Sequence, residues 1–184
     1  RCSNIEYLGY QKKEFIDEEF PHDNLSIVPD EQFMEYFEGS VTFTWVKPEA
    51  FMNASSEDIK LFDKIDVNDV SKSPIAGCEM YSVFAALTEF PQRLLRIFTT
   101  NDVSQYGTCS VNFLVCGVPV EILLDSYFPC NLETKTLAFS TPRENELWFS
   151  YLEKAVAKLF GDYSNIDNLS LAEGFELLTN MPSA

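Results

Sequence analysis

The reading of this chain turns on Glu146-Leu147-Trp148-Phe149-Ser150-Tyr151-Leu152-Glu153-Lys154-Ala155-Val156-Ala157-Lys158-Leu159-Phe160-Gly161-Asp162-Tyr163. Trp148, Leu152, Ala155, Val156 and Leu159 recur at the steps of three and four residues that align side chains along one face of an α-helix. The spacing predicts a helix over Glu144–Phe160 with an apolar stripe facing a core. Gly161 ends it, because glycine takes up the left-handed backbone of a helix terminus without a Cβ clash.

The flanking sequence builds a domain around this helix. Ser170 and Glu173 have the spacing of a capping box, which opens a last helix over Ser170–Leu178. Thr108–Val115 and Val118–Asp125 pattern as a hairpin turning at Cys116–Gly117. Cys78–Phe90 has helical spacing with Phe84 and Leu87 on the core side, and Pro91 closes it. Pro91 also suits the first position of a further helix, Gln92–Phe98. Val41–Trp45 alternates like a strand up to Lys47-Pro48, and Asp30–Glu38 reads as a short helix with Asp30 as N-cap. The content is α+β with helices dominant. Residues 1–40 are polar and acidic, with Phe15, Phe20 and Phe33 spaced as anchors, and read as an N-terminal acidic arm. Residues 41–184 read as one core unit.

Composition narrows the function classes. The chain has 184 residues, 13 Lys+Arg against 29 Asp+Glu, and a net charge of −16. Nucleic-acid binding needs clustered cations on phosphates, so this charge argues against it. The surplus acid reads as a solvated face or as a match for cations and basic partners. No stretch approaches the ~18–20 apolar residues of a membrane span. The five cysteines, Cys2, Cys78, Cys109, Cys116 and Cys130, are odd in number and lack close CxxC spacing, which reads as reduced thiols in an intracellular, cytoplasmic setting. The chain begins at Arg1 and carries no signal-peptide pattern near it. His22 is the single histidine. It leaves one candidate imidazole base and excludes a His-rich metal site.

The opening stretch resembles, nearly position for position, the calpain signature E-F-W-x-x-L-L-E-K-A-Y-A-K-L-x-G-x-Y. Other pieces follow in the family's order: Phe20-Pro21, Trp45-Val46-Lys47-Pro48, Asp125-Ser126-Tyr127-Phe128-Pro129 and Glu173-Gly174-Phe175. No single piece is specific; their shared order from Phe20 to Thr179 is. The resemblance implies the first, cysteine-bearing subdomain of a papain-like calpain protease core. Its central Cys-bearing helix would pack with other helices beside a small antiparallel hairpin or sheet.

The resemblance also assigns the catalytic position. Calpains carry Q-G-x-x-G-D-C-W at the start of that helix, and here the place reads Lys72-Ser73-Pro74-Ile75-Ala76-Gly77-Cys78-Glu79. Cys78 occupies the nucleophile position, where a helix N-terminus favours thiolate. Lys72 replaces the glutamine of the oxyanion site, and losing such a donor costs ~10²–10³ in rate. Glu79 follows the cysteine in place of an aromatic residue and opposes thiolate formation by like-charge repulsion. A buried, inert thiol is the plain structural alternative for Cys78. The histidine and asparagine of the mechanism lie in the family's second subdomain, expected beyond Ala184, and His22 does not match that position.

Calcium is the one cofactor the resemblance raises. The family's first-half site matches Asp69 and Glu146, which need backbone carbonyls near Phe62–Lys64 and water to reach the ~6–8 oxygens of a calcium shell. The plain alternative makes Glu146 a first-turn helix carboxylate and Asp69 a turn residue. Two functions follow. One is a calpain-like domain without proteolytic activity, an interaction or scaffolding module for protein partners in a larger intracellular assembly, cytoskeletal in several of the family's members. The other is the Cys-bearing half of a calcium-dependent cysteine endopeptidase whose His/Asn half lies downstream or on another chain.

Overall fold

Backbone pairing in the computed structural model, which describes residues 14–29, 37, 41–52, 54–71, 79–102, 104 and 106–181, forms two small antiparallel sheets set among helices. The described elements run β1 (Phe43–Val46), α1 (Pro48–Met52), α2 (Glu79–Thr88), α3 (Pro91–Ile97), β2 (Thr108–Val115), β3 (Val118–Asp125), β4 (Phe128–Asn131), α4 (Trp148–Phe160) and α5 (Leu171–Thr179). Short 3-10 turns lie at Asn24–Ser26, Val67–Asp69 and Ser164–Asn168. This is an α+β arrangement. No helix among the described residues is long and apolar enough to cross a membrane.

The hairpin pairs from Thr108↔Asp125 to Val115↔Val118, the two strands and the turn expected from the sequence. Cys116 and Gly117 both take positive φ, 50° and 78°, which is the backbone a two-residue hairpin loop requires. The second sheet pairs β1 with β4, placing Trp45 opposite Pro129. Local pattern misses β4, because it is four residues long and contains a proline. α1 and the 3-10 turns also escape the sequence reading. The helix expected over Asp30–Glu38 and the anchor Phe33 lie outside the described residues, apart from Phe37, which is buried.

α4 begins at Trp148 rather than Glu144, and the cause is visible in the backbone. Glu144 and Asn145 hold left-handed φ of 50° and 64°, so the chain cannot yet be helical. Glu146 then forms a parallel bridge with Lys60. The N–H groups of Leu147 and Trp148 donate to the carbonyls of Lys60 and Leu61, each at 3.0 Å. Two amides that a helix start leaves orphaned thus find partners in the 60–61 loop rather than in a side-chain cap. At the other end Gly161 terminates the helix with φ 105°. From Trp148 to Ala157 every residue of α4 is buried. Each large apolar side chain removed from water there contributes ~1.5–3 kcal/mol.

The remaining elements wrap this helix. Phe20, Ile27 and Val28 join the same core. The Asn24–Ser26 turn is tied down by Tyr163 N–H to Ser26 O and Ser164 N–H to Ile27 O, at 3.1 and 2.9 Å. α5 has the expected capping box, Ser170 with Glu173. It crosses α2 so closely that a Cβ on Gly174 would lie 2.8 Å from Met80 Sδ and 2.9 Å from a Val83 methyl. The glycine of the Glu173-Gly174-Phe175 motif is therefore a packing requirement between these helices.

Candidate functional site

Residues 72–78 lie outside the described residues, and with them Lys72 and Cys78. The residue after the cysteine is described. Glu79 opens α2, and its carboxylate accepts the backbone N–H of Leu171 at 2.9 Å, capping the start of α5. Glu79, the residue that follows Cys78 in the sequence, thus has a structural task of its own.

The single histidine also has one. His22 Nε2 lies 2.8 Å from Asp125 Oδ2. Its ring stacks on Trp45 at 5.2 Å and leans on Tyr127 at 4.5 Å. Asp125 is fully enclosed and accepts four bonds. Oδ2 takes His22 and the Asp17 N–H at 2.8 Å, while Oδ1 takes Lys154 Nζ at 2.6 Å and the Tyr127 N–H at 3.0 Å. Burial alone would raise the Asp125 carboxyl, but the bond from His22 and the charge and bond of Lys154 outweigh it. They hold it far below the usual carboxylate range. Lys154, itself fully buried, also donates to the carbonyls of Asp125 and Tyr127 at 3.1 and 2.6 Å. One turn along, Lys158 donates to Asp17 Oδ2 at 2.6 Å. The i,i+4 lysines of α4 thus clamp residues 17–22 and the end of β3 onto the core.

Sequence reasoning missed this network. Lys154 and Lys158 stand within a helix whose apolar stripe is complete without them, and their partners lie 29 and 141 residues away. The one available signal was a pair of lysines four residues apart, Lys154 and Lys158, in a helix whose other residues are mostly apolar.

Asp69 and Glu146 lie near enough for the charge of Asp69 to act on the Glu146 carboxyl. Asp69 ends the Val67–Asp69 turn, where Asp69 Oδ2 accepts the Asp66 N–H at 2.7 Å and lies 3.4 Å from the Trp148 indole Nε1. Glu146 sits two residues before Trp148, in the extended bridge to Lys60, and so is not a first-turn helix carboxylate. Its Oε1 accepts the Lys64 N–H. Its Oε2 is buried with no hydrogen-bond partner among the described residues. Burial pushes the Glu146 carboxyl above its ordinary range, and the nearby charge of Asp69 adds to the shift. Among the described residues no cluster of three or more His, Cys, Asp or Glu side chains could hold a metal. A cation here would have Asp69, the orphaned Glu146 oxygen, and then only backbone carbonyls and water. That donor set is hard oxygen throughout, which fits calcium in kind.

The family model for calpain family cysteine proteases matches residues 15–184. The chain belongs to the calpain family. Curated calpains align over most of it. The calpain-type cysteine protease DEK1 of Arabidopsis thaliana is 32% identical over 159 residues, covering 84% of this chain and 7% of that protein. ADL1 of Oryza sativa subsp. japonica, also named a calpain-type cysteine protease, is 29% identical over 159 residues, covering 85% of this chain and 7% of its own length. Calpain-5 of Caenorhabditis elegans is 28% identical over 174 residues, 90% of this chain and 25% of that protein. The chain thus spans a quarter or less of these relatives. Within the calpain match, Trp148, Lys154 and Gly174 are held by the burial, ion pairing and helix contact described above.

Proposed function

We propose that this calpain domain lacks proteolytic activity and serves as an interaction or scaffolding module within a larger intracellular protein or assembly. The observation that carries the reading is His22. The only imidazole in these 184 residues is stacked between Trp45 and Tyr127 and bonded to Asp125. A thiol nucleophile needs a base within hydrogen-bond reach, and this base is committed to the fold. Lys72 at the oxyanion position and Glu79 beside Cys78 point the same way. We read residues 41–184, with an N-terminal arm over 1–40, as the cysteine-bearing half of a papain-like core. The free thiols Cys109, Cys116 and Cys130 support an intracellular setting; a cytoskeletal association rests on family resemblance.

The competing reading is the Cys-bearing half of a calcium-dependent endopeptidase, with Cys78 as nucleophile and the histidine and asparagine supplied from outside this chain. Its favouring observation is the buried Glu146 Oε2, without a partner among the described residues, on a carboxylate that feels the charge of Asp69. Asp69 and Glu146 would hold the ion, and calcium would neutralise the two carboxylates and tie the 60–71 loop to the start of α4. That loop leads directly into residues 72–78.

Casein hydrolysis by the full-length protein, with and without calcium and beside Cys78→Ser, tests the choice. The interaction-module reading expects the same background rate in all four conditions. Calcium-stimulated cleavage that Cys78→Ser abolishes would establish the endopeptidase instead.

A further inference from the structure

Away from these sites, α3, the β2–β3 hairpin and the end of α5 enclose a groove of about 530 Å³, within the ~300–1,000 Å³ range of binding clefts. Its floor is apolar, formed by the buried Ile97, Phe113, Leu177 and Leu178. Arg93 and Arg96, three residues apart and so on one face of α3, line it and are exposed. None of the described lining residues is acidic.

The charge of this groove is opposite to that of the protein. The chain has four arginines against 29 acidic residues, and two of those arginines line this one depression. Among the described residues neither forms a salt bridge. Arg93 instead approaches Met181 Sδ at 3.9 Å and the Phe90 ring at 5.7 Å. Phe90 and Met181 are 60% and 57% exposed, so the apolar surface continues past the rim. Unpaired guanidinium forks beside an exposed aromatic ring and a thioether have the composition of an interface core rather than of a solvated face.

We propose that this groove docks a segment of a partner protein in which one or two carboxylates stand beside bulky apolar side chains. Charge complementarity selects that occupant. Elsewhere the −16 chain repels an acidic segment. Here two planar donors can each receive a carboxylate bidentately while the apolar side chains fill the floor. The proposal rests on the interaction-module reading and gives it an address on the surface and a ligand class.

The test is an array of synthetic 12-residue peptides mixing Leu and Phe with Asp and Glu, probed with the labelled full-length protein. Matched arrays replace the acids by Asn and Gln, or by Lys. Acidic–apolar peptides should be retained over both controls. Arg93→Glu/Arg96→Glu should lower their retention about tenfold or more, while Lys135→Glu, a charge reversal outside the groove, should not. Both arginines are exposed, and an unchanged melting temperature confirms that the double variant folds. Equal retention of the neutral array, no retention at all, or indifference to the double reversal would overturn the proposal. Self-association abolished by the double reversal would overturn it too, in favour of a second copy as occupant. Casein cleavage through Cys78 with acidic-peptide retention intact would remove the interaction-module reading and leave the groove assignment standing.

Discussion

Asp125→Ala strands the Lys154 ammonium inside the protein. Lys154 keeps the carbonyls of Asp125 and Tyr127, at 3.1 and 2.6 Å, but loses the one anion it touches, at 2.6 Å. Neither partner's side chain has solvent exposure, both being 0% accessible. Water therefore cannot replace the lost carboxylate without opening the core. Removing one member of such a buried pair costs ~3–5 kcal/mol. The same substitution frees His22 Nε2 and the Asp17 N–H, which places the effect at the upper end of that range. For a domain of this size 1 kcal/mol corresponds to ~2–4 °C, so the melting temperature should fall by ~6–20 °C. Urea unfolding followed by tryptophan fluorescence suits the case, since Trp45 lies 5.6 Å from Lys154 Nζ. Adding Lys154→Met removes the stranded charge. The double variant should be less destabilised than the sum of the two single variants by ~1–3 kcal/mol. Strict additivity, or a loss below ~1 kcal/mol for Asp125→Ala, would refute the claim that this ion pair fastens residues 17–22 to the core.

Two further outcomes follow from buried residues of α4. Glu153 is enclosed between Tyr81 OH and the Ser140 N–H, and burial raises its carboxyl well above the ordinary range. An acid whose folded pKa is raised costs nothing below its unfolded pKa of ~4.3 and destabilises increasingly as pH rises above it, up to the folded value. Glu153→Gln should therefore gain melting temperature over the parent progressively from about pH 5 to 8; a gain independent of pH would contradict the assignment. Trp148→Ala should cost ~3–5 kcal/mol in denaturant unfolding, as a large core truncation; an unchanged midpoint would show that α4 does not bury that face.

The local elements were legible wherever sequence period and terminator agree. The hairpin has two strand-like runs around the turn at Cys116–Gly117, and α5 has its Ser170/Glu173 box. α4 was legible along its length but not at its start. Nothing in Glu144-Asn145-Glu146 announces that two left-handed residues and a bridge to Lys60 postpone the helix. Strand β4 was hidden by Pro129, which reads as a breaker until its partner Trp45 is placed opposite it. The Asp69–Glu146 pairing was legible only through the calpain resemblance, because 77 residues separate the two carboxylates. The His22–Asp125–Lys154 network left no local trace. Burial of a charge is decided by three distant segments meeting, and no window of sequence contains that event. The groove at Arg93 and Arg96 is likewise a product of packing, although the pair itself is plain on α3.

The state of the Cys78 thiol tests the central claim most directly. Iodoacetamide alkylation of the full-length protein, read by peptide mass spectrometry from about pH 6 to 9, compares Cys78 with Cys116, which is exposed at the hairpin turn. With Glu79 next to it in the sequence and His22 committed to Asp125, Cys78 should react no faster than Cys116, its rate climbing as pH rises. Alkylation of Cys78 that is already fast and flat at about pH 6 would reveal a preformed thiolate and a working nucleophile, and would contradict the account.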